Sequence, residues 1–254
     1  MDYYTNFVFF SLVLMRMGGF IYLNPIFGRR NIPGIVKSGL VLALSMIVFT
    51  SSPQQEMQFS GMIEYALILF KEFSAGLAVG FVISLFLYII IFAGEIIDTE
   101  LGMSMSKIFD PQSNASISMS ATYYNILFML LFFITDAHLA IIHVLLNSSD
   151  VIPYGQVVLG QNVAQEVLDI FLLCSELAVK MAFPIIAIEF LCTIGVGILM
   201  KAIPQINVFV VNIQLKIFVG LIVMLLIFSP MSDFLNEIVI MMVDSIKDIL
   251  TLMV

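Results

Sequence analysis

Of 254 residues, 61% are hydrophobic and only 11% charged, and mean hydropathy is +1.10. Soluble domains run near half apolar and a quarter charged, so this composition excludes an ordinary soluble fold and points to lipid or a buried assembly. Ten basic against eighteen acidic residues give a net charge of −8, which excludes a nucleic-acid binder, because that needs a basic surface.

The chain opens Met1-Asp2-Tyr3-Tyr4 with no basic stretch before the first apolar run. That run therefore reads as a retained span and not a cleavable signal. Six apolar segments follow in order, at 7–27, 35–51, 62–94, 122–147, 165–200 and 204–230. A seventh, 232–252, is amphipathic. A hydrocarbon core of about 30 Å needs about 20 apolar residues, and several segments reach that length without its purity. Arg16 stands in the first, Lys71 and Glu72 in the third, and Asp136, His138 and His143 in the fourth. Glu176, Lys180 and Glu189 stand in the fifth and Lys216 in the sixth; only Phe73–Gly94 is uncharged throughout. A charge at the bilayer centre costs about 2.5–3.5 kcal/mol on the insertion scale, so these helices are expected to face protein or water in an assembly.

The fifth segment is too long for a bilayer, at about 54 Å of helix, and Pro184 is expected to kink it. Lys and Arg in the loops give orientation. Arg29, Arg30 and Lys37 mark the first loop as cytoplasmic, Lys107 the third and Lys201 the fifth, while 51–61 and 147–164 carry none. Both termini then lie outside. Arg30–Ile35 and Lys201–Ile206 share the spacing basic-x-Ile-Pro-x-Ile; this is either one turn solution found twice or the trace of two related hairpins.

Catalytic patterns are absent: there is no HExxH, no GxSxG and no supported Ser/His/Asp set, so no enzyme, cofactor or metal is expected. Cys174 and Cys192 fall in one helical stretch about 27 Å apart, too far for a disulfide. His138, His143 and Asp136 read either as a polar helix end or as a loose metal or proton cluster. Glu95 and Asp98, three apart on one helical face, read either as a cap at the interface or as a cation or proton pair. Gly76 and Gly80 form a GxxxG that permits close packing of helices. Lys180 and Glu176 pair at i, i+4, and Glu189 is expected to be neutral or paired with Lys216 or Arg16. The loop 103–121 is long and rich in small residues and methionine, with a turn at Asp110-Pro111. Loops of this length are usually functional or disordered.

Several of these stretches together resemble the flagellar biosynthetic protein R family, the R/T subunits of type III secretion export gates. They are Arg16 through Pro25-Ile26-Phe27, Ile32-Pro33-Gly34 with Lys37, Glu72 with Gly76 and Gly80, and Ala93-Gly94-Glu95 with Asp98 and Gly102. Asp110-Pro111 and Gly195 through Lys201, with Ile203-Pro204-Gln205-Ile206-Asn207-Val208-Phe209 and Lys216, complete the match. The Pro-Gln-x-Asn-Val-Phe element (Pro204, Gln205, Asn207) is the most specific. Thr135-Asp136-Ala137-His138 departs from the Asn-Gly-His often seen in the family.

The resemblance implies an all-α, polytopic helical membrane protein. Residues 1–160 would form a P-subunit-like part and 161–254 a Q-subunit-like hairpin. It implies a non-enzymatic gate subunit at the bacterial inner membrane and flagellar basal body, assembling with the P and Q subunits and the B subunit and passing unfolded proteins outward. The loop at 103–121 would plug the channel, with Phe109, Asp110, Pro111 and Ile117 at its centre. A stand-alone ion- or proton-coupled transporter is the competing reading, with Glu95, Asp98 and Glu189 as coupling sites; a membrane-embedded enzyme ranks behind it.

Overall fold

The computed structural model describes the backbone of residues 2–51, 61–104, 108–110, 115–202 and 208–254, and side chains except at 1–4, 105–117, 200, 202 and 208–210. Its helices are α1 (Asp2–Leu23), α2 (Gly34–Ser51), α3 (Met62–Glu100), α4 (Met119–Ile134), α5 (Ala137–Leu146), α6 (Ser148–Val151), α7 (Gln161–Ala202), α8 (Val208–Leu226) and α9 (Phe228–Thr251). A polytopic all-α architecture results. Four helices (α1, α2, α3 and α7) are each long and apolar enough to cross a membrane. Two sharply bent pairs, α4 with α5 and α8 with α9, raise the number to six.

The helix ends depart from the hydropathy segments for local reasons. α1 stops at Leu23 because Pro25 disfavours helix at the preceding residue, and Asn24 folds a turn in its place. Its Oδ1 accepts from the N–H of Ile26 at 2.8 Å and of Phe27 at 3.1 Å. α3 runs through the charges at 95–100 and ends at Glu100, and Gly102 just beyond it, at φ +73°, closes the helix end in the left-handed conformation that suits glycine. The segment 122–147 is broken at Asp136, which adopts φ 56°. Its carbonyl accepts from Leu139 and Ala140 to start α5. Aspartate tolerates that left-handed conformation better than most residues. The sixth segment is broken at Ile227, with a 66° bend, and Pro230 falls in the first turn of α9, where no N–H is needed. α7, in contrast, is continuous through Pro184.

The chain forms two compact units. The first comprises 1–86, 136–172 and 240–254, and the second 87–135 and 173–239. In the first, Val8, Phe9, Leu12, Val13, Met17, Phe20 and Ile21 line the buried face of α1 at helical spacing, with Arg16 among them. In the second, Ile90, Ala93, Ile97 and Leu101 of α3 are buried, as are Ala121, Tyr124, Phe128 and Phe132 of α4. Between these helices residues 108–110 and 115–117 pair as two short antiparallel strands, with Phe109 opposite Ser116, where the sequence suggests only an irregular loop.

Candidate functional site

Two polar centres are built into these apolar units. In the first unit α1 and α3 approach until their backbones touch. A Cβ on Gly76 would collide with the Arg16 carbonyl, and one on Gly19 with the carbonyl of Phe73. Gly80 lies 3.2 Å, by its would-be Cβ, from the backbone of Leu23 and Asn24. This approach lets two fully buried side chains meet: Arg16 Nε donates to Glu72 Oε2 at 2.6 Å, with 1% and 0% of the two side chains exposed.

The segment after α5 meets Arg16 Nη1 and the second Glu72 oxygen, while Arg16 Nη2 is buried without a hydrogen-bond partner among the described residues. Arg16 Nη1 donates to Ser148 Oγ at 3.1 Å and to the Ile152 carbonyl at 3.0 Å. The next four residues, Pro153-Tyr154-Gly155-Gln156, form a turn closed by Gln156 N–H to the Pro153 carbonyl, with Gly155 at φ +85°. A positive φ at the third position is what a type II turn demands, and glycine supplies it. The turn presents the Gly155 N–H to Glu72 Oε1 at 2.7 Å and lays the Tyr154 ring 4.1 Å from the guanidinium carbon. Phe9 meets the same ring edge-on. Burial pushes the Tyr154 hydroxyl up to about 12, against the opposing pull of the Arg16 charge. The result is a desolvated cation enclosed by one carboxylate, a hydroxyl, a carbonyl and an aromatic face, which ties three separate chain segments together.

In the second unit the second centre is Asp98, 1% exposed. A Cβ on Gly94, one turn earlier, would collide with Ala121, so α3 and α4 are in backbone contact here. Asp98 Oδ2 accepts from Met119 N–H at 2.7 Å and Oδ1 from Ser120 N–H at 3.2 Å, while Ser118 Oγ accepts from Ala121 N–H at 3.1 Å. These are the free donors of α4's first turn, where the helix dipole also favours negative charge. Asp98 thereby joins the end of α3 to the start of α4, a contact that neither reading of Glu95 and Asp98 anticipated.

Glu189 of α7 is fully buried, and neither carboxylate oxygen has a hydrogen-bond partner among the described residues. Arg16 is committed to Glu72 and not to Glu189. Lys216 acts on Glu189 electrostatically, but its Nζ donates to the Glu100 carbonyl at 3.3 Å. Glu176 and Lys180 form their i, i+4 pair on an exposed face at 2.7 Å. Asn147 reaches the His143 ring at 3.2 Å, and no group of three or more His, Cys, Asp or Glu able to hold a metal occurs among the described residues. Pro33 directly precedes α2, accepting from Val36 and Lys37 N–H, and Lys37 Nζ reaches back to the Gly28 carbonyl at 2.7 Å. Lys201 is exposed in the last turn of α7. Pro204, Gln205, Asn207, Lys107 and Pro111 lie outside the described residues, as do the side chains of Phe109, Asp110 and Ile117.

Sequence reasoning singled out Arg16, Glu72, Gly76, Gly80 and Asp98, but missed Gly19, Ser148, Tyr154 and Gly155. The one available signal was the Pro-Tyr-Gly-Gln turn pattern, which carries no hint of a buried arginine 138 positions earlier.

Residues 7–242 match the family of bacterial export proteins, family 1. The chain is 27% identical over 251 residues to the flagellar biosynthetic protein FliR of Bacillus subtilis, covering 96% of this chain and 95% of that one. It is 25% identical to FliR of Escherichia coli, covering 87% and 84%, and 26% identical to FliR of Aquifex aeolicus, covering 89% and 88%. The two buried centres, at Arg16–Glu72 and at Asp98, both fall inside the matched span. The chain belongs to the bacterial export proteins of family 1, as a FliR-type, membrane-embedded component of a flagellar export apparatus.

Proposed function

We propose that this chain is a channel-forming subunit of the flagellar protein export gate, passing unfolded proteins outward across the bacterial inner membrane at the basal body. The observation that carries this reading is α7. It has 42 residues, about 63 Å of helix, twice the hydrocarbon thickness of about 30 Å. Only 22% of its most apolar window is buried. Phe183, Phe190, Leu191 and Ile198 are each more than 60% exposed. Lipid can cover half of such a helix; the other half needs protein, and the family supplies the candidates as P- and Q-type subunits and a B-type subunit.

In this reading residues 1–160 play the P-like part and 161–254 the Q-like hairpin, a division by resemblance and not by compact units. The excursion 103–121 plugs the channel at rest, with Phe109, Asp110, Pro111 and Ile117 at its centre. The loop charges place both termini outside. The test is co-expression of the tagged chain with P- and Q-type subunits, followed by native mass spectrometry. A defined hetero-oligomer containing this chain supports the gate. A monodisperse species of this chain alone, ignoring both partners, refutes it and favours a stand-alone transporter.

A further inference from the structure

On α7 the 20-residue run Met181–Met200 carries one charged residue, Glu189, and a lysine stands directly at each end, Lys180 and Lys201. The run makes about 30 Å of helix, the thickness of a hydrocarbon core. Both lysines are exposed, as cations at the two boundaries of a membrane are. At the Lys180 boundary the chain leaves a half-open cavity of about 220 Å³. Its walls are Met181 and Pro184 of α7, Ile227 at the helix break, and Pro230 and Phe234 of α9, with Lys180 at the edge. The 66° departure of α9 from α8 opens this wedge. The lining is almost wholly apolar, so water is a poor occupant. One turn of helix with its side chains fills about 400 Å³, so no partner helix enters; a stretch of one hydrocarbon chain does.

We propose that this cavity is a phospholipid site: it takes the upper methylenes of one acyl chain, and Lys180 with Glu176 takes a head group that carries both a phosphate and a primary amine. Glu176 Oε1 lies 2.7 Å from Lys180 Nζ, and both side chains are more than half exposed. An exposed pair of this kind contributes less than about 1 kcal/mol, so it opens to a ligand readily. The ammonium has donors for a phosphate, and the carboxylate has acceptor sites for an amine. A purely anionic head group would meet the Glu176 charge, and a choline head group offers that carboxylate no N–H. The acyl chain gains little by leaving lipid that is equally apolar, so selection rests on the head group, while filling the wedge restores packing contacts. The site does not depend on the gate reading; it uses only the part of α7 that matches a bilayer in length.

The chain contains no tryptophan, so Phe234→Trp puts a reporter in the cavity wall, and Phe190→Trp puts one on the same apolar run where the side chain is 64% exposed. Each full-length variant is placed in phosphatidylcholine bilayer discs with the subunits that co-purify, and its signal is the difference from wild type in the same assembly. Phosphatidylethanolamine with brominated chains, which quench tryptophan on contact, is then titrated in. Phe190→Trp reports ordinary lipid and should follow the bulk fraction. Phe234→Trp should saturate at about a tenfold lower fraction, the effect of one charge-assisted hydrogen bond. Adding Lys180→Gln should return it to the bulk curve, and brominated phosphatidylglycerol should not reproduce the early saturation. A bulk curve at Phe234→Trp overturns the site, and so does an absence of quenching, which would show a protein segment covering the cavity. Early saturation that phosphatidylglycerol matches, or that survives Lys180→Gln, overturns the head-group assignment. Should Phe234→Trp fail to fold, native mass spectrometry of the unaltered chain from mixed-lipid membranes decides. Retained phosphatidylethanolamine that Lys180→Gln loses supports the site, and equal retention of all three lipids overturns it.

Discussion

Removing either partner of the Arg16–Glu72 pair strands the other. In Glu72→Ala the guanidinium keeps Ser148, Ile152 and the Tyr154 ring but loses the carboxylate that pairs with it, and the Gly155 N–H loses its acceptor. Breaking one side of a buried pair costs about 3–5 kcal/mol. In a chain of this length that corresponds to a fall in Tm of about 6–20 °C, at about 2–4 °C per kcal/mol. Glu72→Gln is expected to do nearly as badly. Two donors, Arg16 Nε and Gly155 N–H, converge on the two carboxylate oxygens, and an amide turns an NH2 toward one of them. The double variant Arg16→Met with Glu72→Met removes both charges together and refills the space, so its cost should fall well below the sum of the singles. The assay is thermal unfolding of the purified gate across this cycle, with Ser148→Ala as a mild reference. Additive losses, or single losses under about 1 kcal/mol, would refute the view that this centre ties the unit together.

Gly76→Ala forces a Cβ onto the Arg16 carbonyl, a backbone atom with little room to yield. It should cost about 1–3 kcal/mol, visible as a lower Tm, whereas alanine at Gly18, which faces open space, should be silent. At Asp136, Asp136→Val puts a β-branched residue at φ 56° and should lose about 1–2 kcal/mol; Asp136→Asn should not, and equal losses would show that the carboxylate matters instead. Tyr154 should ionise late in an alkaline difference titration of wild type against Tyr154→Phe. Its folded value, raised by burial to about 12 from 10.0, gives stability that is full below pH 10 and lost as pH rises toward 12. A difference signal centred near pH 10 would contradict the buried stack. Glu189→Gln should leave stability unchanged to within about 0.5 kcal/mol, because no side-chain hydrogen bond among the described residues depends on it. A large loss would reveal a partner in the assembled gate.

Hydropathy sufficed to locate the long helices, because a 39-residue α3 or a 42-residue α7 dominates any window. It misplaced ends wherever a side chain and not polarity sets the boundary. Pro25, Ile26 and Phe27 are apolar enough to extend the first segment, yet the Asn24 turn closes it. Glu95 through Glu100 are polar enough to end the third, yet the helix continues through Glu100. The break at Ile227 was not legible, because Pro230 in the first turn of α9 is embedded in an apolar run. Arg16 and Glu72 were legible as improbable charges in apolar helices, and Gly76 and Gly80 as small residues. Which charge meets which was not legible, because pairing across 56 positions depends on how α1 and α3 cross, and Gly19 shares that crossing without any pattern of its own.

The three buried acids among the described residues show how an apolar chain accommodates negative charge by three different routes. Glu72 is neutralised by an arginine and a backbone N–H. Asp98 is held by two backbone N–H groups at a helix start, with no cation involved. Glu189 has neither. A coupling carboxylate must be free to gain and lose a proton or ion. Glu72 cannot do so without unmaking a three-way tie, nor Asp98 without releasing the start of α4. Of the candidate coupling sites Glu95, Asp98 and Glu189, Asp98 is thus structurally committed, and the transporter reading contracts toward Glu95 and Glu189. The gate reading asks less of these groups: they need only hold helices in place while substrate passes elsewhere. A buried ion pair adds little net stability over well-packed apolar residues but penalises every arrangement that separates it. For a subunit whose uncovered apolar faces could pack in many ways, that penalty favours one register of α1 on α3, and Gly19 and Gly76 make the register sterically possible.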